Sequence, residues 1–376
     1  MTAAPEGGLI VGGGIAGLTA AIALGRVGIT VNVYEAAQAF EPIGAGIWMA
    51  PNAMQLLSRL GIAGRIEETG VPVERVAIVD QRLRRIASVE QQDVRHRFGF
   101  GIVAIQRAQL HRILLDATGT SRVRLGKRLR SVLNYETSPT VEFEDGSSAG
   151  GAFIIAADGI HSAARDGIRG ALALRRTGQM CWRGLASVDL PLFFRRATIE
   201  IWGRESRMGI ADVGCRKAYW FLVCSNWHGQ SLLDIVREYP PIAAEVLSAT
   251  PPDSTNQIEL SDLPPRRPWS KGSVCLIGDA AHPMTPNMGQ GGAQAVEDAW
   301  MIARCLSEHA DPAAAFKAFE MRRFSRVRSI VNASHRLGSF IHSGWPRVRN
   351  LAFRATPARA ANRMMNEIYD VSSLLE

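Results

Sequence analysis

No run of 18 apolar residues occurs anywhere in the 376-residue sequence, and its most apolar stretch, near the N-terminus, is broken by glycines and Arg26. A bilayer-spanning helix needs about 20 such residues, so no span is expected. Cysteine is scarce: Cys181, Cys215, Cys224, Cys275 and Cys305 stand singly, without CxxC or metal-ligand spacing. Neither a disulfide framework nor a metal site is expected, and the thiols read as small buried hydrophobes in a reducing cytoplasm. Acidic residues, 35, fall short of the 43 basic ones, which leaves a formal net charge of +8. Nucleic acid is not expected as a partner, because the arginines are dispersed and no basic-aromatic reader module is present. The excess suits either attraction of small anions or a plain solvated arginine surface. The first apolar run begins within about ten residues of Met1, so no signal peptide is expected. Internal repeats and low-complexity linkers are also lacking. What remains is a chain 47% apolar and 21% charged, long enough for two domains and expected in the cytoplasm.

Against this plain background residues 9–36 stand out: LIVGGGIAGLTAAIALGRVGITVNVYEA. Leu9, Ile10 and Val11 make a short strand. Gly12, Gly13, Gly14 and Gly17 mark a tight turn, and Ile15, Leu18, Ile22 and Gly25 follow at helical spacing. The β-branched run from Thr30 to Tyr34 then ends in Glu35, 21 residues beyond Gly14. Strand, glycine turn, helix, strand and acid in that order form the dinucleotide fingerprint. Gly12 permits the sharp turn, and Gly14 lets backbone approach a pyrophosphate at the positive helix end. Gly17 permits close helix–strand packing, while Glu35 accepts from a ribose 2′-OH. An acid there disfavours a 2′-phosphate, so the adenosine expected is that of FAD or NAD. The bland alternative is a glycine-rich turn with no ligand.

Two later segments also run from strand to acid. The apolar run Phe153 to Ala157 stops at Asp158-Gly159, and Ser273 to Ile277 stops at Gly278-Asp279. Open α/β sheets bind ligands at such carboxyl ends, although a lone aspartate there serves equally well as a helix N-cap. Gly289-Gln290-Gly291-Gly292 then opens a helix carrying Ala293, Val296, Trp300 and Ala303 in line, whose free N–H groups suit an anion. Residues 42–48 read as a flexible loop, 73–80 and 100–105 as strands of a second sheet, and 230–249 as helical. Residues 122–145 read as short strands with a turn at Asp145-Gly146. Trp182, Trp202, Trp220 and Trp227 fall on extended segments, expected as an antiparallel sheet with one aromatic face. That face is either plain core or the wall of a ligand cavity. A helix is expected from Asp311-Pro312, and the basic, amphipathic tail 332–376 is expected as helices covering the nucleotide-binding part.

Taken together, GGGIAG…YE, AADGIHSAAR and LIGDAAHPMTPNMGQGGAQAVEDA resemble the group A FAD-dependent aromatic hydroxylases, in order and over nearly the whole chain. The GQGGxxAxED form, ending here in Glu297-Asp298, is similar to the zeaxanthin epoxidase, urate hydroxylase and hydroxynicotinate hydroxylase branch. The resemblance implies an α/β fold with a Rossmann-like FAD-binding domain of the glutathione-reductase type, over 1–72, 106–178 and 271–310. It implies an inserted substrate domain on a mostly antiparallel sheet, over 73–105 and 179–270, and C-terminal helices over 311–376. Gly12, Gly14, Ile15, Ala16 and Gly17 would hold the FAD pyrophosphate and Glu35 the ribose. Ala36, Gly46, Trp48, Arg107, Leu129 and Asp158 match further cofactor-contacting positions, and Asp279 the acid on the ribityl chain. Pro286, Gly289, Gln290, Gly291, Gly292 and Ala293 match the loop along the flavin. Arg207 and Tyr219, twelve apart on the substrate sheet, match the urate hydroxylase pattern, while other residues of that sheet differ.

The activity so implied is hydroxylation of a small aromatic or heteroaromatic substrate. NADH or NADPH, bound transiently, would reduce FAD, and O₂ would be trapped as the flavin C4a-hydroperoxide in a dry pocket. Arg207 or Arg183 would hold a phenolate or carboxylate, and Tyr219 would relay a proton. A surface charge is the plain alternative for either arginine. His282 and His161 read as structural. A halogenase is disfavoured because no WxWxIP segment occurs. A reductase or epoxidase acting on an isoprenoid chain, and a flavoprotein without catalysis, are the remaining alternatives. Weak peripheral membrane contact through the basic tail is expected if the substrate is lipid-like.

Overall fold

The computed structural model describes residues 7–40, 45–342 and 345–376. Part of the expected loop at 42–48 therefore lies outside the described residues. A six-stranded sheet organises the first half of the fold, in the order Ser270–Lys271, Val274–Leu276, Ile154–Ala156, Gly8–Val11, Val31–Tyr34, Val123–Arg124. All neighbours but the Ser270–Lys271 edge are parallel. Parallel strands are covered by helices on both faces, which is why Leu9–Val11, Ile154–Ala156 and Val274–Leu276 are apolar throughout and fully buried. The helix Ile15–Arg26 packs against the helix Gly291–Glu308 over this sheet.

A second, seven-stranded sheet has the order Asn256–Asp262, Arg175–Ser187, Lys217–Ser225, Ser206–Asp212, Ala197–Trp202, Arg75–Asp80, Arg85–Glu90. It is antiparallel except where Ala197–Trp202 meets Arg75–Asp80. Directly opposed residues of antiparallel strands share a face. Arg183 pairs with Phe221, Leu185 with Tyr219 and Arg207 with Val223, so these residues lie on one face. Trp182 and Trp220 lie on the other, packed with Trp227 against Ile242 and Val246 of the helix Pro241–Ser248. Trp202 shares the first face but sits at its edge beneath Phe353, ring centroids 4.7 Å apart. The tryptophans of this sheet thus build its core, and the aromatic wall on the first face is made by Tyr219, Phe221 and Trp48 instead.

Several expectations need correcting. Gly46–Met49 is not a loop but a strand, paired antiparallel with Val103–Gln106, which also pairs with Val71–Pro72. The strand expected at 100–105 thus belongs to this small separate sheet and not to the seven-stranded one. Residues 230–249 form two short helices, Leu232–Ile235 and Pro241–Ser248, because Pro240 and Pro241 lack the N–H groups that a continuous helix needs. The tail covers both sheets: Val371 and Leu374 join the first core, whereas Phe353 of the helix Pro346–Arg354 packs on the second sheet. Cys181, Cys224, Cys275 and Cys305 are buried as expected, but Cys215, in the turn between two strands, is exposed. No helix among the described residues is long and apolar enough to cross a membrane.

Candidate functional site

The fingerprint turn is built by exclusion of side chains. Gly12 has φ +104°, and a Cβ there would lie 2.2 Å from the Ala157 carbonyl oxygen. A Cβ at Gly17 would lie 1.9 Å from the Gly12 oxygen, so helix and strand approach too closely for any other residue. Around Gly14, by contrast, the space that a Cβ would occupy is open. Gly14 caps the helix without a side-chain bond, and the first intrahelical donor is Leu18 N–H to Gly14 O. The N–H groups of Ile15, Ala16 and Gly17 are left for an external acceptor at the positive end of the dipole. Glu35, next to half-exposed Ala36, accepts from Gly13 N–H at 2.6 Å and from Ala37 N–H at 2.8 Å. Each of its oxygens keeps a second lone pair for a hydroxyl. The sequence reading missed His111, which donates from Nε2 to Gly13 O at 2.7 Å and packs tilted against the Phe40 ring. Its signal was present, since His111 lies one helical turn beyond Arg107 on the same face. Leu129 follows Gly126 and Lys127, whose N–H groups bond Ala37 O and Glu35 O, and its side chain is buried opposite Phe143.

Parallel register brings the three strand ends together, Val11 beside Ala156 beside Leu276. The two aspartates that follow have different work. Asp158 accepts from the Ser162 hydroxyl at 2.5 Å and Ala164 N–H at 3.2 Å, so it closes its own loop and holds Ser162, which caps the helix Ala163–Arg169 by accepting from Arg165 N–H. Asp279 is open at the carboxyl edge of the sheet, yet ringed by protein. Burial raises its pKa, and His282, Arg107 and Arg183 pull it back.

The segment from Gly278 to Gly292 converges on the fingerprint helix. A Cβ at Gly292 would lie 3.2 Å from Ile47 Cδ1 and 3.8 Å from Ile15 Cδ1, and one at Gly289 3.6 Å from the Trp48 ring. Gly289 has φ +61° and ends the short turn Pro286–Met288. Gln290 caps the helix Gly291–Glu308 without a side-chain bond, so the N–H groups of Gly291, Gly292 and Ala293 are unclaimed by the helix. Behind this loop lies a buried polar network that sequence reasoning did not anticipate. Asp298 accepts from Gly278 N–H at 2.9 Å, His282 Nε2 at 2.6 Å and Arg323 Nε at 2.8 Å. Burial pushes the Asp298 pKa up, but His282 and Arg323 outweigh it and hold the value at about 2. Glu297 accepts from Arg323, Arg326, Gln294 and Asn52, and Asn52 also bonds Gln290 Oε1. His282 is committed to this network.

On the second sheet the three catalytic candidates separate. Arg207, 2% exposed, donates to Glu200 at 2.7 Å and to Asn287 Oδ1, and lies 5.5 Å over Phe221. Asn287 in turn donates to Thr285 Oγ1 and Ser334 O. Arg207 is therefore a tie between the sheet and the Pro286–Met288 turn. Arg183 and Arg107 form no ion pair among the described residues, and both act electrostatically on Asp279 and Tyr219. Burial works against the Arg183 charge, but Cys181, Tyr219 and Asp279 keep its pKa above the ordinary arginine value. Burial also pushes the Tyr219 phenol up to about 12 despite Arg183, so it is a proton donor at neutral pH. Gly46 makes room for Tyr219, because a Cβ there would lie 2.6 Å from that ring. Phe221 stands between Tyr219 and Trp48, at 6.3 and 6.0 Å, and lies over Gly209.

A family model described as "FAD binding domain" matches residues 8–334. The chain belongs to this family, among the group A flavin hydroxylases. The hydroxylase is 32% identical to the FAD-dependent urate hydroxylase of Klebsiella pneumoniae over 96% of this chain and 97% of that one. It is 34% identical to the aurachin C monooxygenase/isomerase of Stigmatella aurantiaca, over 88% of each. The solved structure of Klebsiella pneumoniae HpxO complexed with FAD and uric acid superposes with a TM-score of 0.88 at 31% identity, covering 98% of this chain and 97% of that one. The enzyme is thus an FAD-dependent monooxygenase. Its site fits the cofactor: two helix N-termini offer unclaimed N–H groups, Gly14 leaves open space between them and solvent, and Glu35 and Asp279 offer hydroxyl acceptors at either end.

Proposed function

We infer that this monooxygenase hydroxylates a compact aromatic or heteroaromatic ring bearing an ionised oxygen, held by Arg183 with Arg107 in support. The observation that carries this is a pair of arginines in no ion pair among the described residues, Arg183 on the face of Tyr219 and Phe221 and Arg107, at the start of the helix Arg107–Thr118, acting on the same Tyr219. Arg207, spent on Glu200 and Asn287, positions the face rather than the substrate. Ile15, Ala16 and Gly17 would hold the FAD pyrophosphate through their N–H groups, Glu35 the ribose and Asp279 the ribityl hydroxyls. Gly289 to Ala293, with Pro286, would line the flavin edge, and Gly46 and Trp48 its flank. When bound, FAD supplies the activation of O₂ that follows reduction by NADH or NADPH. The chain's own part is to orient the ring against Phe221, exclude water with Trp48 and Tyr219, and return a proton from the Tyr219 hydroxyl. We place the cofactor part at 1–72, 106–178 and 271–310 and the substrate part at 73–105 and 179–270.

The test is NAD(P)H oxidation by the FAD-loaded enzyme across phenols, hydroxybenzoates, hydroxypyridines, quinolones and purines, with ¹⁸O₂ followed into product. Stimulation confined to ring oxyanions, with one labelled atom per product, is the expected result. Labelling of neutral isoprenoids alone would overturn the substrate assignment.

A further inference from the structure

The helix Pro346–Arg354 has an inner and an outer face with opposite fates. Arg349, 2% exposed, donates to Ile341 O at 2.7 Å and Gly203 O at 3.0 Å and lies 4.8 Å over the Trp202 ring. Phe353, one turn on, packs edge-on to Trp202 and stacks on Phe340. These contacts clamp the helix to the edge of the second sheet. The outer face is left apolar and uncovered: Trp345 is 71% exposed, Val348 59% and Leu351 67%, with Ala352 and Ala355 beside them. Phe340 of the preceding helix, 40% exposed, stacks on Phe353. Large apolar groups that cluster in solvent mark an interaction surface.

The charge along the segment that carries the patch is all of one sign. Between Glu320 and Glu367 the sequence has ten arginines and no acidic residue. Arg323 and Arg326 serve the buried network, Arg322 pairs with Glu308, and Arg349 is the inner clamp. Arg336, Arg347, Arg354, Arg359 and Arg363 are exposed and in no ion pair among the described residues. Arg347 and Arg354, seven residues apart, flank Leu351 on the same helix. A second copy of the chain packed symmetrically on this patch would bring arginine against arginine. An anionic bilayer surface supplies the missing counter-charge and accepts a tryptophan, a leucine and a valine at headgroup depth. At nine residues, or about 14 Å, the helix is far too short to span a bilayer and suits lying in its plane.

We propose that the outer face of Pro346–Arg354, with Trp345, Val348 and Leu351 inserted and Arg347 and Arg354 on the headgroups, docks the enzyme reversibly on anionic lipid surfaces. This does not depend on which ring the enzyme hydroxylates. Holoenzyme is mixed with phosphatidylcholine vesicles, with and without about a third phosphatidylglycerol, and floated on a density gradient at low and high salt. Wild type floats with anionic vesicles at low salt, is released by salt and ignores neutral vesicles. Trp345→Ser with Leu351→Ser, and separately Arg347→Glu with Arg354→Glu, lower the apparent affinity roughly 10- to 50-fold while FAD content and thermal midpoint stay at wild-type values. The docking is overturned if wild type stays at the bottom with anionic vesicles, or if both double variants float like wild type. It is equally overturned if light scattering shows a dimer that Trp345→Ser with Leu351→Ser dissolves, since a second copy would then own the patch.

Discussion

Replacing Arg183 with methionine keeps an unbranched apolar stem and removes the guanidinium charge with its N–H donors, so it tests capture of the substrate oxyanion. Arg183 is half-buried, in no ion pair among the described residues, and close enough to Tyr219 and Asp279 to perturb both. A hydrogen bond to a charged group contributes about 1.5–3 kcal/mol, and each 1.4 kcal/mol is tenfold. The variant is therefore expected to lose roughly 10- to 150-fold in kcat/KM for an oxyanion substrate, as raised KM wherever the contact is equal in ground and transition states. A methyl ether of the same substrate, which offers no charge, should lose no more than a few-fold. FAD content, read from visible absorbance, should not change. Arg207→Met is the contrasting control. Glu200 and Asn287 would then be left without their cation, and breaking a buried pair typically costs about 3–5 kcal/mol, so the thermal midpoint should fall before any selective kinetic effect is seen. Equal losses for oxyanion and ether in Arg183→Met, or none for either, would refute the assignment of Arg183 as the anion holder.

Gly209→Ala puts a Cβ 2.1 Å from Phe221 Cε1 and must push that ring towards the flavin side; kcat should drop at least tenfold with FAD affinity kept, and a normal rate would show that Phe221 does not line the reacting space. His342 is held neutral by burial, with Arg207 adding to the effect, and its pKa falls to about 3. A histidine depressed in the folded state leaves stability intact above the unfolded value of about 6.5 and erodes it below, by about 1.4 kcal/mol per pH unit; thermal midpoints of wild type should fall between pH 7 and 5, and those of His342→Gln should fall less. Asp298, held at about 2, acts in a lower window: its contribution of roughly 2 kcal/mol is complete above the unfolded carboxylate value and disappears as pH falls from about 4 to 2. Asp298→Asn should flatten acid unfolding in that window, and a variant with the wild-type acid profile would exclude Asp298 as the source.

Elements that depend on local chemistry were legible in the sequence. The fingerprint turn requires glycine at Gly12 and Gly17 for steric reasons that any chain of this pattern shares, and the three apolar runs could only be strands buried on both faces. What was not legible depends on register across distant segments. Trp182 and Arg183 are adjacent in sequence, yet one lies in the core on one face of the sheet and the other beside Phe221 on the opposite face. No periodicity within 180–227 tells the two faces apart, and of the two readings open for the tryptophans, plain core or cavity wall, the core holds Trp182 and Trp220. Arg207 likewise cannot be told from Arg183 by residue type. Its Glu200 partner is a neighbouring-strand pairing, and its Asn287 partner comes from 80 residues on. Gly46–Met49 reads as a loop because Pro42, Gly44 and Gly46 in sequence obscure a strand that forms only by pairing with Val103–Gln106.

The buried network behind the loop explains how a segment so rich in glycine and proline keeps one shape. Residues Gly278 to Gly292 include four glycines and two prolines, with few side chains to pack them in place. Both ends are instead tied to one helix turn: Asp298 holds Gly278 and His282, while Glu297 reaches Gln290 through Asn52. Arg323 bridges the two carboxylates from the long helix Pro312–Ile341, and Ser334 of that helix holds Thr285 and Asn287 in the middle of the loop. An apolar replacement of such a network would often be as stable or more so. Its value therefore lies in position rather than in stability. It sets the Asp279 carboxylate and the Gly291 to Ala293 N–H groups at fixed places on opposite ends of the loop. Through Asn287 it connects them to Arg207 and so to the sheet that carries Arg183 and Tyr219. A motif ending in Glu297-Asp298 is thus less a cofactor contact than the fixture that lets the contacts upstream be made.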